Sequence, residues 1–282
     1  MTGTATAGPG RASAAMRLLA AAAAALALIA AFGCDREEAE EYRLVWEDEF
    51  EGEAGASPDT AYWDFDVGTN WGNNQLEYDT DRPENVSLDG EGNLAITARE
   101  EEYLGCDYTS GRIVTRDRVE YAYGRFEARI RLPVGQGIWP AFWLLGADID
   151  AVGWPECGEI DIMEYRGQEP NIVLGSLHGP GYYGGSAISK RYLLEGPGFD
   201  AGFHLFAVEW SEDRITWYVD DTAYFTVTPD DVPDGGRWVF RHPFFIILNV
   251  AVGGNFVGPP NESTSFPQTM LIDRVRIYRR GG

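Results

Sequence analysis

Residues 124–132, GRFEARIRL, place Phe126, Ala128, Ile130 and Leu132 at every second position, with Arg125, Glu127, Arg129 and Arg131 between them. Side chains on a strand alternate between its two faces, so this stretch predicts a strand with one face in a core and the other in water. Runs of the same kind recur at 93–100 (NLAITARE), 203–210 (FHLFAVEW), 214–221 (RITWYVDD), 244–254 (FFIILNVAVGG) and 271–278 (LIDRVRIY). Clusters of Gly, Pro, Asn and Asp separate them, as turns between short strands require. Beyond the N-terminal region no long stretch keeps helical spacing. The pattern therefore predicts one all-β domain over 42–280, an antiparallel β-sandwich of the jelly-roll kind.

The first 33 residues follow a different pattern. Arg11 and Arg17 precede an apolar run from Leu18 to Phe32, then Gly33 and Cys34. A charged start followed by an apolar run too short for a membrane span reads as a secretory signal. Cys34 directly after the run suits a lipid acceptor, with Ala31 a weak residue for the first position of that motif; an ordinary signal peptide cleaved nearby is the alternative. Residues 34–41, CDREEAEE, then form a short acidic tether, because a charge run of this kind is rarely packed. Export is expected, with membrane anchoring only through a lipid on Cys34. An oxidising compartment permits a disulfide between Cys106 and Cys157; two buried free thiols are the equal alternative.

Composition narrows the partners. The formal net charge is -23, which argues against nucleic acid and anionic membrane. The chain carries 9 Trp and 14 Tyr, more than a core of this size usually uses. In IWPAFWLLG (138–146), Trp139, Ala141 and Trp143 share one face, while Ile138, Phe142 and Leu144 take the other. Pro140 lacks an N–H for a ladder and points to an edge or bent strand. Aromatics on such a strand are either core or platforms for the apolar faces of sugar rings.

The candidate chemistry lies in GEIDIMEY (158–165). Strict alternation puts Glu159 and Asp161 on one face and Glu164 on the other. One extra residue, a β-bulge near Ile162–Met163, returns Glu164 to the face of the other two and leaves Ile160 with one of Ile162 or Met163 for the core. Glu159 and Glu164 are then effectively four positions apart, roughly 13 Å between Cα atoms, and two Glu side chains reaching together leave about 5 Å between carboxylates. Retaining glycosidases hold their two carboxyls about 5 to 5.5 Å apart, and inverting ones about 6.5 to 9.5 Å. Crowding also raises at least one pKa, which keeps an acid protonated near neutral pH. The alternative is a solvated acidic face. No HExxH, paired CxxC, phosphate-binding glycine loop or GxSxG elbow is present, so metalloprotease, zinc-ribbon, nucleotide and serine-hydrolase readings lack support.

These residues resemble glycoside hydrolase family 16, in particular its bacterial laminarinase-like branch. WPECGEIDIMEYRG is similar to the signature of that branch, including the extra residue before the last Glu. WGNNQLEYDT, TSGRI, YGRFEARIRLPVGQGIWPAFWLLG, FHLFAVEW, WYVDD, PFFIILNVAVGGNF and FPQTMLIDRVRIY follow in the family's order. The resemblance implies a curved jelly roll with a cleft on its concave sheet, and retaining endo-hydrolysis of β-1,3-glucan of the laminarin type, with mixed-linkage activity an option. It implies Glu159 as nucleophile, Asp161 as assisting acid and Glu164 as general acid/base. Asn74, Arg112, Trp139, Trp143, Trp154 and His178 fall where the family lines its subsites, although Arg112 and His178 also admit purely structural roles, and His204 and His242 read as structural. Two departures, Phe256 in place of a common Trp and QLEYD after Asn74, bear on the outer subsites. No cofactor is required for the chemistry. A structural calcium held partly by Glu49 and Asp273 is implied by relatives, on only one or two ligands. The expected partner is a β-glucan polymer met by a monomer. A non-catalytic β-glucan-binding lipoprotein, or a family enzyme or transglycosylase acting on another polysaccharide, are the competing readings.

Overall fold

Short runs of alternating residues cannot bury their apolar faces alone, and here they do so by stacking as two sheets. The computed structural model describes residues 1–4 and 42–281; the expected leader beyond residue 4, Cys34 and the acidic tether through residue 41 lie outside the described residues. Tyr42–Gly282 forms one unit. In chain order its strands are β1 (Tyr42–Asp48), β2 (Asp64–Phe65), β3 (Glu77–Asp79), β4 (Val86–Leu88), β5 (Leu94–Tyr103), β6 (Cys106–Ser110), β7 (Arg112–Val114), β8 (Glu120–Tyr121) and β9 (Gly124–Arg131). There follow β10 (Ile138–Gly146), β11 (Glu159–Tyr165), β12 (Ile172–His178), β13 (Ile188–Leu193), β14 (His204–Ser211), β15 (Arg214–Val219), β16 (Thr222–Val227), β17 (Phe244–Val252) and β18 (Gln268–Arg280). The α-helix α1 (Ile149–Val152) is a single turn.

Ten strands form one sheet in the order β16-β15-β14-β9-β18-β5-β6-β3, with β1 on β18 and β4 on β5. Eight form the other, β13-β12-β11-β10-β17-β7-β2, with β8 on β17. All named pairs are antiparallel except β3 with β6. Strands distant in sequence are neighbours, β9 beside β18 and β10 beside β17, so each sheet draws on both halves of the chain.

The period-two pattern sets the core. Phe126, Ala128 and Ile130 of β9 are fully buried, as the alternation predicts. They share one cluster with Ile272, Val275 and Ile277 of β18 and, from the second sheet, Ile138, Phe142 and Leu144 of β10. The opposite face of β9 is drier than its charges suggest. Glu127 is buried there, ion-paired to Arg125 at 2.8 Å and accepting from the Tyr278 hydroxyl at 3.3 Å.

Strand β17 is buried along its whole length. Its alternate residues Phe244, Ile246, Leu248, Val250 and Val252 belong to the inter-sheet core, and Phe245, Ile247, Asn249 and Ala251 underlie the outer face. A sheet whose outer face is also covered provides the floor of a cleft. The strand ends where Gly253 and Gly254 take left-handed φ of 72° and 95°, a region that strongly favours glycine.

Pro140 does not mark an edge. Strand β10 is central, between β11 and β17. Gly167 N–H donates to Ile138 O, and Gly146 N–H to Gly158 O, so the even-numbered positions of β10 turn their main-chain groups toward the β11 side. The last β10–β11 pair is Ala141 with Glu164. Pro140 therefore lies just beyond the end of that ladder, where a missing N–H costs no bond.

Cys106 and Cys157 are both free, which rules out the disulfide between them. Cys157 is buried and Cys106 is only half-buried, a departure from two buried thiols.

Candidate active site

A cleft of about 760 Å³ lies over the outer face of the eight-stranded sheet. Glu159, Asp161 and Glu164 of β11 all line it. The register shows how. Asp161 pairs with Ser176 of β12, and the next pair is Glu164 with Leu174, three residues along one strand against two along the other. This is the bulge that the acid spacing predicts, and it returns Glu164 to the face of Glu159 and Asp161. The expectation for the core is corrected in one detail. Ile160, Ile162 and Met163 all enter the core, because the two bulge residues face one partner position together.

The acids are bound into a polar network by β12 and by the segment ahead of β11. Trp154 donates its indole N–H to Glu159 Oε2 at 3.0 Å. His178 is paired with Glu159 in register, and its Nε2 lies 3.6 Å from Glu159 Oε1 and 3.0 Å from Asp161 Oδ2. The Gly184 N–H donates to His178 Nδ1 at 3.0 Å, so in the neutral ring the hydrogen is on Nε2, facing the carboxylates. Asp161 Oδ2 itself has no aligned hydrogen bond. Ser176 donates to Glu164 Oε2 at 3.1 Å and accepts from Ser189 at 3.0 Å.

Burial, reinforced by the charge of Asp161, pushes the Glu159 carboxyl up to about 8, with His178 pulling the other way. Burial raises Asp161 to about 8. Burial and Asp161 together raise Glu164 to about 8, against the Ser176 hydrogen bond. Neighbouring carboxylates in one desolvated site cannot all ionise near neutral pH, so protons are held by the group as a whole.

Of the other expected residues, Arg112, Trp139, Trp143, Trp154 and His178 line the cleft. The Arg112 guanidinium lies over the rings of Trp71 (4.8 Å) and Trp143 (5.0 Å), and its Nε donates to Asp66 at 2.8 Å. Trp143 donates in turn to Asn249 Oδ1 at 2.8 Å. Asn74 differs from expectation: it is exposed and outside the lining, while Asn73 and Gln75 on either side are part of it. Asn73 and Asn74 both have left-handed φ, 53° and 56°, so strand alternation does not govern which side chain enters. Asn74 instead donates to Asn255, a lining residue, at 2.9 Å. His204 and His242 are outside the lining, paired with Asp220 and Asp148. Sequence reasoning missed Ser176, Ser189, Asn249 and Trp71, whose importance depends on partners remote in the chain.

Glu49 and Asp273 do not fit a shared calcium. Arg276 holds Glu49 at 2.7 Å, and Arg129 and Arg274 hold Asp273 at 3.2 and 2.7 Å. Among the described residues, the grouping with metal-ligand spacing is Glu159, Asp161 and His178, with ligand atoms within 4.8 Å. The Gly184 contact leaves His178 Nε2 as a donor without a lone pair, which suits carboxylates and not a cation.

The pattern of glycosyl hydrolases family 16 matches residues 65–272. The chain belongs to glycosyl hydrolase family 16. A β-glucanase of Rhodothermus marinus is 42% identical over 258 residues, 88% of this family 16 chain and 89% of that protein. The laminarinase catalytic domain of Thermotoga maritima superposes with a TM-score of 0.82 at 46% identity, covering 86% of this chain and 100% of that one. For the endo-β-1,3-glucanase of Pyrococcus furiosus the TM-score is 0.81 at 44% identity, over 86% and 96%. Two antiparallel sheets with a cleft over one of them are thus the jelly roll of family 16 hydrolases.

Proposed function

We propose that this family 16 hydrolase cleaves internal linkages of β-1,3-glucan, laminarin being the model polymer, with retention at the anomeric carbon. The observation that carries the reading is the bulge, which puts three carboxyls of one strand into a single aromatic-walled cleft. Glu159 receives an indole N–H and faces the His178 N–H, donors that favour its ionised form. It attacks the anomeric carbon as the glycosidic bond breaks. Glu164, raised by burial, gives its proton to the leaving oxygen, then takes one from the incoming water as water displaces Glu159. Asp161, between them and also raised, stays neutral while Glu159 carries its charge, which limits repulsion within the cluster. Trp139, Trp143 and Trp154 wall the cleft, and Trp154, the exposed one of the three, offers a ring to the apolar face of a sugar.

The mixed-linkage option has the same chemistry, because the intermediate is common to both linkages. Export and anchoring through Cys34 belong to the same proposal and rest on the N-terminal sequence pattern; Cys34→Ala then releases the protein from membranes. The decisive assay is reducing-end release from laminarin by purified protein, with product anomers followed by NMR. Glu159→Ala and Glu164→Ala each abolish release while keeping the melting transition. A wild-type protein that binds laminarin without releasing ends is a binding protein, and the proposal fails.

A further inference from the structure

The bulge that carries the acids has a support on the other sheet. Trp217 of β15 is fully buried and donates its indole N–H across the sandwich to the main-chain carbonyl of Asp161 at 2.7 Å. Asp161 is the last residue in register before the bulge, and Ile162 and Met163 both stand against Gly175, between the pairs Asp161–Ser176 and Glu164–Leu174. A β-carbon on Gly175 would meet Trp217 Cδ1 at 2.5 Å, Trp217 Nε1 at 2.8 Å and the Tyr224 hydroxyl at 2.6 Å. The indole thus occupies the space that any other residue at 175 would take. A glycine inside a strand often marks such a bulge or close approach. A carbonyl oxygen has two lone pairs, so Asp161 accepts this bond without giving up a ladder partner.

We infer that Trp217, seated against Gly175, is a positioning residue for the reaction, acting through the Asp161 carbonyl to hold the bulge that turns Glu164 into the cleft. Glu159 precedes the bulge and is in regular register with Leu145 and His178, so it does not depend on this tie. Loss of the indole N–H should therefore weaken the acid/base step selectively. The inference rests on the glycosidase reading proposed above.

The test uses Trp217→Phe, which keeps an aromatic ring and removes the N–H. Replacement of Trp217 by benzothienylalanine, which keeps the bicyclic shape without an N–H, serves if the phenylalanine variant does not fold. On laminarin, kcat is expected to fall by roughly 10- to 100-fold with KM changed by less than about 2-fold, the scale of loss when a catalytic group is displaced by about 1 Å. A dinitrophenyl glycoside of the same sugar needs little acid assistance to leave. Its glycosylation rate, read as kcat/KM, should fall by less than about 3-fold. Azide, which attacks the glycosyl-enzyme without a general base, should raise turnover of the variant on that substrate and give a β-glycosyl azide, with little effect on the parent. Equal losses on both substrates, no loss on either, or no azide effect would overturn the inference. Wild-type protein without laminarin turnover would instead overturn the glycosidase reading, so the two failures are distinguishable.

Discussion

Replacing Glu159 with Gln should stabilise the protein, and by an amount that grows with pH. The unfolded carboxyl loses its proton near its ordinary value of 4.5, whereas burial and Asp161 raise it to about 8 in the fold, where the three acids share their protons and Glu159 reacts from the fraction in which it is the ionised one. Between those values the native state binds more protons than the unfolded state, so stability falls as pH rises through this window. Below 4.5 both forms are protonated and the contribution vanishes. Treated as an isolated group, a rise from 4.5 to about 8 corresponds to roughly 5 kcal/mol at ~1.4 kcal/mol per tenfold change. Part of the rise is repulsion from Asp161 and Glu164, which relaxes when either holds a proton, so ~1–3 kcal/mol is expected for one site. Gln keeps an oxygen to accept from Trp154 and has no charge to bury. For a domain of this size the gain is a melting temperature higher by roughly 3–10 °C at pH 8 and unchanged at pH 4.5. Thermal melts of parent and variant at pH 4.5, 6 and 8 measure it. A gap that does not widen with pH, or a variant less stable at pH 8, refutes the claim that burial and mutual repulsion strain this cluster.

Hydrolysis of laminarin should persist through neutral pH and fall as pH rises through about 8, where Glu164 loses the proton it must donate; a kcat/KM profile already falling at pH 5.5 contradicts this assignment. Arg112→Lys keeps the charge but loses the planar group that lies over Trp71 and Trp143, and should raise KM severalfold, a loss of ~1 kcal/mol, with a smaller change in kcat; an unchanged KM shows that the stack does not shape the cleft. Because Cys106 and Cys157 are free thiols, dithiothreitol should leave the melting temperature within about 1 °C of its value without reductant, where loss of a disulfide would typically cost ~2–5 kcal/mol.

What the sequence determined by itself was whatever depends on local phase. Strand faces alternate every residue, so GRFEARIRL announced its buried side, and β9 buries Phe126, Ala128 and Ile130. The same arithmetic located a bulge in GEIDIMEY, because three acids at 159, 161 and 164 share a face only if one residue is extra. The family resemblance placed Asn74 in the cleft, but with Asn73 and Asn74 both at left-handed φ it is Asn73 and Gln75 that line it. The missing N–H of Pro140 left an edge or a bent strand open, and the edge is excluded only by the strands that flank β10, since β17 follows it by about a hundred residues. Tertiary structure alone decided which groups surround the acids. Ser176 reaches Glu164 from the next strand, Asn249 holds Trp143, and Trp217 ties Asp161 from the opposite sheet, 56 residues away in the chain. Those contacts follow from strand order and sandwich packing, which no local period encodes. The depth of the three carboxyls follows from the same source, because burial among the cleft walls, with mutual repulsion at Glu159 and Glu164, raises their pKa values and makes a run of acidic residues a candidate catalytic group.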